Sequence, residues 1–149
     1  MNKIFKVLFM LSALSLLCFA QAKQTTTITK DIVELNENGA GKKVGTVTVT
    51  ETADGISIEV KASGLTQKAG QVGFHLHDKN SVRPTKDASG GLGADIADLG
   101  SLTVNADGSV NQTVSSANIK YSDLKGKSLV IYADATGGSG TSIYAAAIF

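Results

Sequence analysis

From Ile28 onward, apolar and polar positions alternate with the period of two that sends successive side chains to opposite faces of a strand. Ile28 to Leu35 is the first such run, and a turn-rich Asn36-Glu37-Asn38-Gly39-Ala40-Gly41 follows it. Val44-Gly45-Thr46-Val47-Thr48-Val49 is β-branched and alternating. Asp54-Gly55 signals a hairpin, from which Ile56 to Lys61 returns as the next strand. Val72 to His77 is the fourth run. Leu99 to Val104, the turn Asn105-Ala106-Asp107-Gly108, and Val110 to Val114 make a second hairpin. Ser128 to Ala133 and Ser142 to Ile148 bring the expected total to about eight strands. Only Ser122 to Gly126 hints at a single helical turn. Short, regularly spaced strands with turn residues between them predict an all-β sandwich or barrel. The chain shows no repeat, linker or low-complexity tract that would divide it further.

The first 22 residues break this pattern. Lys3 and Lys6 precede an uncharged run from Val7 to Ala20, and Ala20-Gln21-Ala22 is a small-x-small cleavage site. Residues 1–22 therefore read as a secretory signal peptide, too short for a membrane span with stop-transfer flanks. Leu17 is too bulky for a good lipobox before Cys18, so lipid anchoring is not expected. The expected mature domain is 23–149, starting at Lys23, exported to a periplasm or secreted, and long enough for one real core.

Without the leader the inventory of chemistry changes. Cys18, Met1 and Met10 leave, so the mature chain has no sulfur ligand and no disulfide. Two of the 14 Lys and Arg leave as well, so 12 remain against 13 Asp and Glu. That balance argues against a nucleic-acid or anionic-membrane partner. Gly90-Gly91-Leu92-Gly93 lacks the Gly-Lys-Ser/Thr ending of a phosphate loop. Neither histidine has a triad context, so no catalytic residue is assigned.

The one concentration of chemistry is Gly73-Phe74-His75-Leu76-His77-Asp78, which holds the chain's 2 histidines. Residues two apart on a strand share a face, with Cα atoms about 6.5 Å apart. Two imidazoles so placed can converge on one ion, and imidazole suits copper and zinc. The plain alternative is two partly exposed polar residues with no metal.

Several stretches together resemble the copper/zinc superoxide dismutase family, especially its bacterial exported type. They are Ser63-Gly64-Leu65 with Gly70 and Gly73 to His77, then Ala97 to Leu102 with Asn105 to Gly108, and Leu124 to Ile131. The resemblance implies an eight-stranded Greek-key β-barrel with its site on two long loops. It also implies a copper held by four histidines, two of them at His75 and His77. The third, which bridges to zinc, has no counterpart after His77. The fourth falls at Tyr132, and a neutral phenol is a poor substitute unless a metal deprotonates it. Of the family's zinc ligands, Asp98 matches the aspartate and Asp95 stands where the last histidine would be. The plain reading of both is solvated loop carboxylates, with Asp98 bracing a shortened loop. The family's cysteines are replaced by Val82 and Ala145, and its guiding arginine by Ser142. No Lys or Arg lies between Ser128 and Phe149, and the loop 133–141 is short.

These residues lead to an expected function of copper (or zinc) binding through His75 and His77, with Asp95 and Asp98 as secondary candidates. Copper is the candidate cofactor, and a full zinc site is not expected. Little or no dismutase activity should remain, so the sequence leaves enzymatic status open. Two alternatives stand beside this. One is a metal-free interaction module on the same barrel. The other is an active dismutase with an atypical copper site, for instance one whose ligands are shared across a homodimer.

Overall fold

The computed structural model describes residues 24–36, 38–65, 69–81, 91–133 and 143–149. The expected leader with Cys18 lies outside them, as do Lys23, Val82, Gly90, Ser142 and residues 134–141 of the last loop. Eight strands form one antiparallel sheet. They are β1 (Thr27–Asn36), β2 (Gly39–Glu51), β3 (Ile56–Ala62), β4 (Gly70–His77), β5 (Asp95–Val104), β6 (Val110–Ser116), β7 (Ser128–Tyr132) and β8 (Ile143–Ile148). Among the described residues a single 3-10 turn, Tyr121–Leu124, precedes β7, with the Asp123 carboxylate accepting from Lys120 N at 2.9 Å. Among the described residues no helix is long and apolar enough to cross a membrane.

The strand order β5-β4-β7-β8-β1-β2-β3-β6 interleaves hairpins with crossings between the two halves, as a Greek key does. The sheet curls until its edges, β5 and β6, face each other. The Gln112 side chain stitches this seam. The Gln112 amide donates to Ser101 O at 2.9 Å and accepts from Thr103 N at 3.0 Å. That contact ties down edge groups that would otherwise lie open to another chain.

The alternation read from the sequence fills the barrel. Val47, Val49, Ile58, Val60, Val72, Phe74, Leu76, Leu102, Leu129 and Ile131 all point inward and are buried. A second, smaller cluster lies on the outer face of one side. It is made by Leu35, Leu92, Val130, Tyr132 and Ala146. Leu35 reaches it because it lies three residues after the core residue Ile32, and an odd separation sets the two on opposite faces of β1. The hairpin at Asp54-Gly55 forms as expected, with Thr52 N donating to Gly55 O at 2.9 Å.

Two boundaries differ from expectation by four residues or more. β2 begins at Gly39, so the turn after β1 is shorter than its run of polar and small residues suggested. β5 begins at Asp95 rather than Leu99. Asp and Ala are poor strand formers, but pairing with β4 supplies the hydrogen bonds that local preference does not.

Candidate metal centre

The two histidines leave β4 on the same face, because one residue separates them. Phe74 and Leu76, between and beside them, enter the barrel core. On β7, His75 stands opposite Val130 and His77 opposite Ser128. The histidines thus share the outer face with Val130 and Tyr132. They are not the partly exposed residues of the plain sequence reading: His75 is 7% exposed and His77 4%. The reason is a cover. Asp78 N donates to Ala94 O and Lys79 N to Leu92 O, each at 3.0 Å, while Ala94 N donates to the Asp78 carboxylate at 2.8 Å. This short pairing folds residues 92–94 back toward β4 and seats Leu92 in the outer cluster.

Gly93 is the tight point of that cover. Its φ is +79°, and a Cβ there would stand 1.8 Å from the Asp78 carboxylate oxygen. Only glycine fits both the dihedral and the space. Its carbonyl oxygen lies 3.2 Å from His77 Nδ1. A carbonyl can only accept, so Nδ1 carries the proton and the neutral ring presents a lone pair at Nε2. The Tyr132 hydroxyl, 2.8 Å from Nε2, donates to it. Burial holds the His77 pKa below 6.5, outweighing the opposing hydrogen bond to the Gly93 carbonyl and the charge of Asp95. The Tyr132 phenol is itself 5% exposed, and burial, then the Asp95 charge, push its pKa above 10.0.

On the other side, His75 Nδ1 bonds the Asp95 carboxylate, and His75 Nε2 lies 3.7 Å from Asp98 Oδ1. The Tyr132 ring stacks at a tilt against His75, with centroids 4.9 Å apart, and stands 5.9 Å from the ring of His77. Asp95 and Asp98 are therefore strand residues and not loop carboxylates, which corrects the plain reading of both. Two register shifts in the β4–β5 pairing, one beside Gly73 and one between Leu76 and His77, bracket the histidines. The second sets Asp95 opposite His77 and Ala97 opposite Leu76, leaving Ile96 as the extra residue, 48% exposed. Such a bulge re-aims side chains. It lets two aspartates three apart both reach the histidine face. Asp98 stays largely in solvent, its side chain 73% exposed, and accepts from Gly100 N at 2.7 Å.

Sequence reasoning named His75, His77, Asp95 and Asp98, and the structure gathers them at one end of β4 and β5. It underrated Tyr132, for which the signal was an amphipathic aromatic directly after the apolar run Leu129 to Ile131. Among the described residues, no three His, Cys, Asp or Glu side chains converge as a metal site in their present positions. The donor chemistry itself fits a divalent transition metal. Two imidazoles, one carboxylate and one phenol suit copper(II) or zinc, and they are far from the all-oxygen set of magnesium or calcium.

Comparison with known proteins gives the same family by sequence and by fold. Residues 43–148 match the family model described as copper/zinc superoxide dismutase. The chain is 33% identical over 150 residues to a superoxide dismutase [Cu-Zn] of Brucella abortus, covering 85% of this chain and 84% of that one. The solved Cu/Zn superoxide dismutase from Brucella abortus superposes with a TM-score of 0.67 at 25% identity, over 83% of this chain and 99% of that one. A SOD-like protein from Bacillus subtilis superposes with a TM-score of 0.60 at 27% identity, over 81% of this chain and 97% of that one.

Proposed function

The chain belongs to the copper/zinc superoxide dismutase family, and from that premise we propose that it is an exported copper-binding member with little dismutase activity, using His75 and His77 as its metal ligands. The observation that carries the reading is His77. Its Nδ1–H is committed to the Gly93 carbonyl, which leaves Nε2 as the presented donor. A metal-ligating histidine commonly fixes its other ring nitrogen in this way. His75 stands beside it on the same face, with the Asp95 carboxylate in reach of any cation it holds. Copper supplies the family's chemistry by passing an electron to and from superoxide. Two features of this chain oppose that reaction. The histidines that would complete a copper shell are absent from the sequence, and Asp95 and Asp98 place negative charge where an anionic substrate must approach. Export rests on the leader-like residues 1–22.

Metal analysis of protein purified from its own export compartment tests the reading, with superoxide decay measured on the same sample. One copper per chain, lost in the His75→Ala, His77→Ala double variant, is the expected result, with decay near that of the metal-free protein. Turnover approaching the diffusional ceiling of about 10⁹ M⁻¹s⁻¹ would overturn the low-activity half, and a metal-free native protein would overturn the binding half. The second outcome is what a metal-free interaction module would give. That reading is favoured by the protein partners already made by His75 Nδ1 and by both ring nitrogens of His77.

A further inference from the structure

We propose that the notch between the first half of β1 and the 3-10 turn is a docking site for an extended, acidic peptide segment of another protein, which adds as a strand to the free edge of β1. β1 has two neighbours for only part of its length. It pairs with β2 from Thr27 to Asn36, but with β8 only from Ile32 to Glu34. From Thr27 to Lys30 its second edge meets no strand among the described residues. Thr26 O accepts from Glu51 N on the β2 side, and main-chain groups alternate sides along a strand. The N–H and C=O groups of Thr27 and Thr29 therefore point into the notch. Phe149, which follows β8, donates its own N–H to Lys127 O instead. Such an edge is a template for another chain. The notch is also apolar below and positive at its sides. A groove of about 370 Å³ runs along it, lined by Ile28, Tyr121, Leu124 and Phe149, with Lys30 on the β1 side and Lys125 on the turn side. Leu124 belongs to the barrel core, and the other three pack against that core. Lys30 stands between Ile28 and Ile32 at a core-facing position of β1, where alternation calls for an apolar side chain. No described Asp or Glu lines the groove, and neither lysine forms an ion pair with a described residue. Asp123, in the turn itself, is committed to Lys120 N. An added strand would supply the missing main-chain partners and send alternate side chains into the groove. An inward apolar residue covers the floor beside Ile28, and an inward Asp or Glu two positions along meets Lys30. A second copy of this chain fits poorly, because a two-fold contact sets a patch against itself and would bring lysine to lysine.

The test titrates the blocked hexapeptide Thr-Leu-Thr-Asp-Thr-Leu into the isotope-labelled protein and follows its amide chemical shifts. The expected result is saturable shifts at Thr27 to Asp31, Leu124, Lys125 and Phe149, and none in β3 or β6. The same peptide with Lys in place of Asp should bind about three- to tenfold more weakly. Of two peptides N-methylated at alternate residues, one should lose binding and the other keep it, because only one set of N–H groups faces β1. In Lys30→Glu the preference should turn to the lysine peptide. No shifts at millimolar peptide, or shifts that ignore both charge and N-methylation, overturn the proposal. So does a protein that tumbles as a dimer joined through this face, or one that shows these shifts with anionic phospholipid vesicles and not with the peptide. The wild-type protein with the four peptides decides even if Lys30→Glu fails to fold. His75 and His77 lie on the outer face of β4 and take no part, so this outcome and the metal reading stand or fall separately.

Discussion

The two halves of the barrel are built from the same kind of strand but used differently. In β2, β3, β6 and the first part of β1, one face enters the core and the other carries polar residues, while the end of β1 turns Leu35 into the outer cluster. Thr29 and Thr48 hydrogen-bond across that outer face at 2.9 Å, and Thr27 and Thr50 at 3.3 Å. In β4 and β7, every residue from Val72 to His77 and from Ser128 to Tyr132 is buried. Ala145, Ala146 and Ala147 of β8 are buried as well. The second half therefore has two cores, the barrel interior and the outer cluster under Leu92. The outer cluster is where the histidines lie. The lesson is that a polar site needs cover as much as it needs ligands. Covering one face of a sheet makes a dry place in which hydrogen bonds and charges act strongly. The threonine face of the first half stays in water and holds no such site.

The comparison can be broken at several levels. Phe74→Ala removes a large side chain from the interior that both halves share. It should cost about 3–5 kcal/mol, read as a loss of midpoint in chemical unfolding. A cost below that of Leu92→Ala would mean the outer cluster, not the barrel, dominates stability. Leu92→Ala opens the cover instead. About 2–3 kcal/mol is expected, at the low end for a buried leucine, because it packs in the smaller cluster. Amide exchange at Ala94 and His77 should accelerate, while exchange in β2 and β3 should not change.

The pH dependence sharpens the same contrast. Burial depresses the His77 pKa in the folded state, so below about pH 6.5 the unfolded chain binds the proton more readily. Stability of the metal-free protein is then at its full value above pH 6.5 and declines as pH falls toward the lower folded value. One such group contributes at most about 1.4 kcal/mol per pH unit. Unfolding midpoints between pH 5 and 8 should show this decline in wild-type protein and a flatter curve in His77→Gln. An equal slope in both would remove His77 as its source. The smallest effect belongs to the solvated face. Thr48→Ala removes one cross-strand hydroxyl pair and should cost about 0.2–1 kcal/mol, with copper binding unchanged.

Most of the fold was legible in the chain. Eight runs were expected and eight strands are present, because alternation is a local signal and one buried face is enough to produce it. The errors fell where local signal and pairing disagree. Asp95 to Asp98 looked like loop because two aspartates and an alanine disfavour strands, yet β4 offered a partner. The candidate site was legible in part. His75 and His77 share a face for a reason internal to their own strand.

What the sequence by itself determined is what a period of two can carry: the strands, their inward faces and the paired histidines. Tertiary structure alone decided who meets them. A bulge at Ile96 changes the count between Asp95 and Asp98, so no fixed period predicts that both reach His75. Tyr132 meets His77 across 55 residues because β7 inserts beside β4, and the glycine-bearing cover meets its other nitrogen from 16 residues away. Register and strand order are properties of the closed sheet. They depend on every strand being present at once, which is why no stretch of the chain, read alone, contains them.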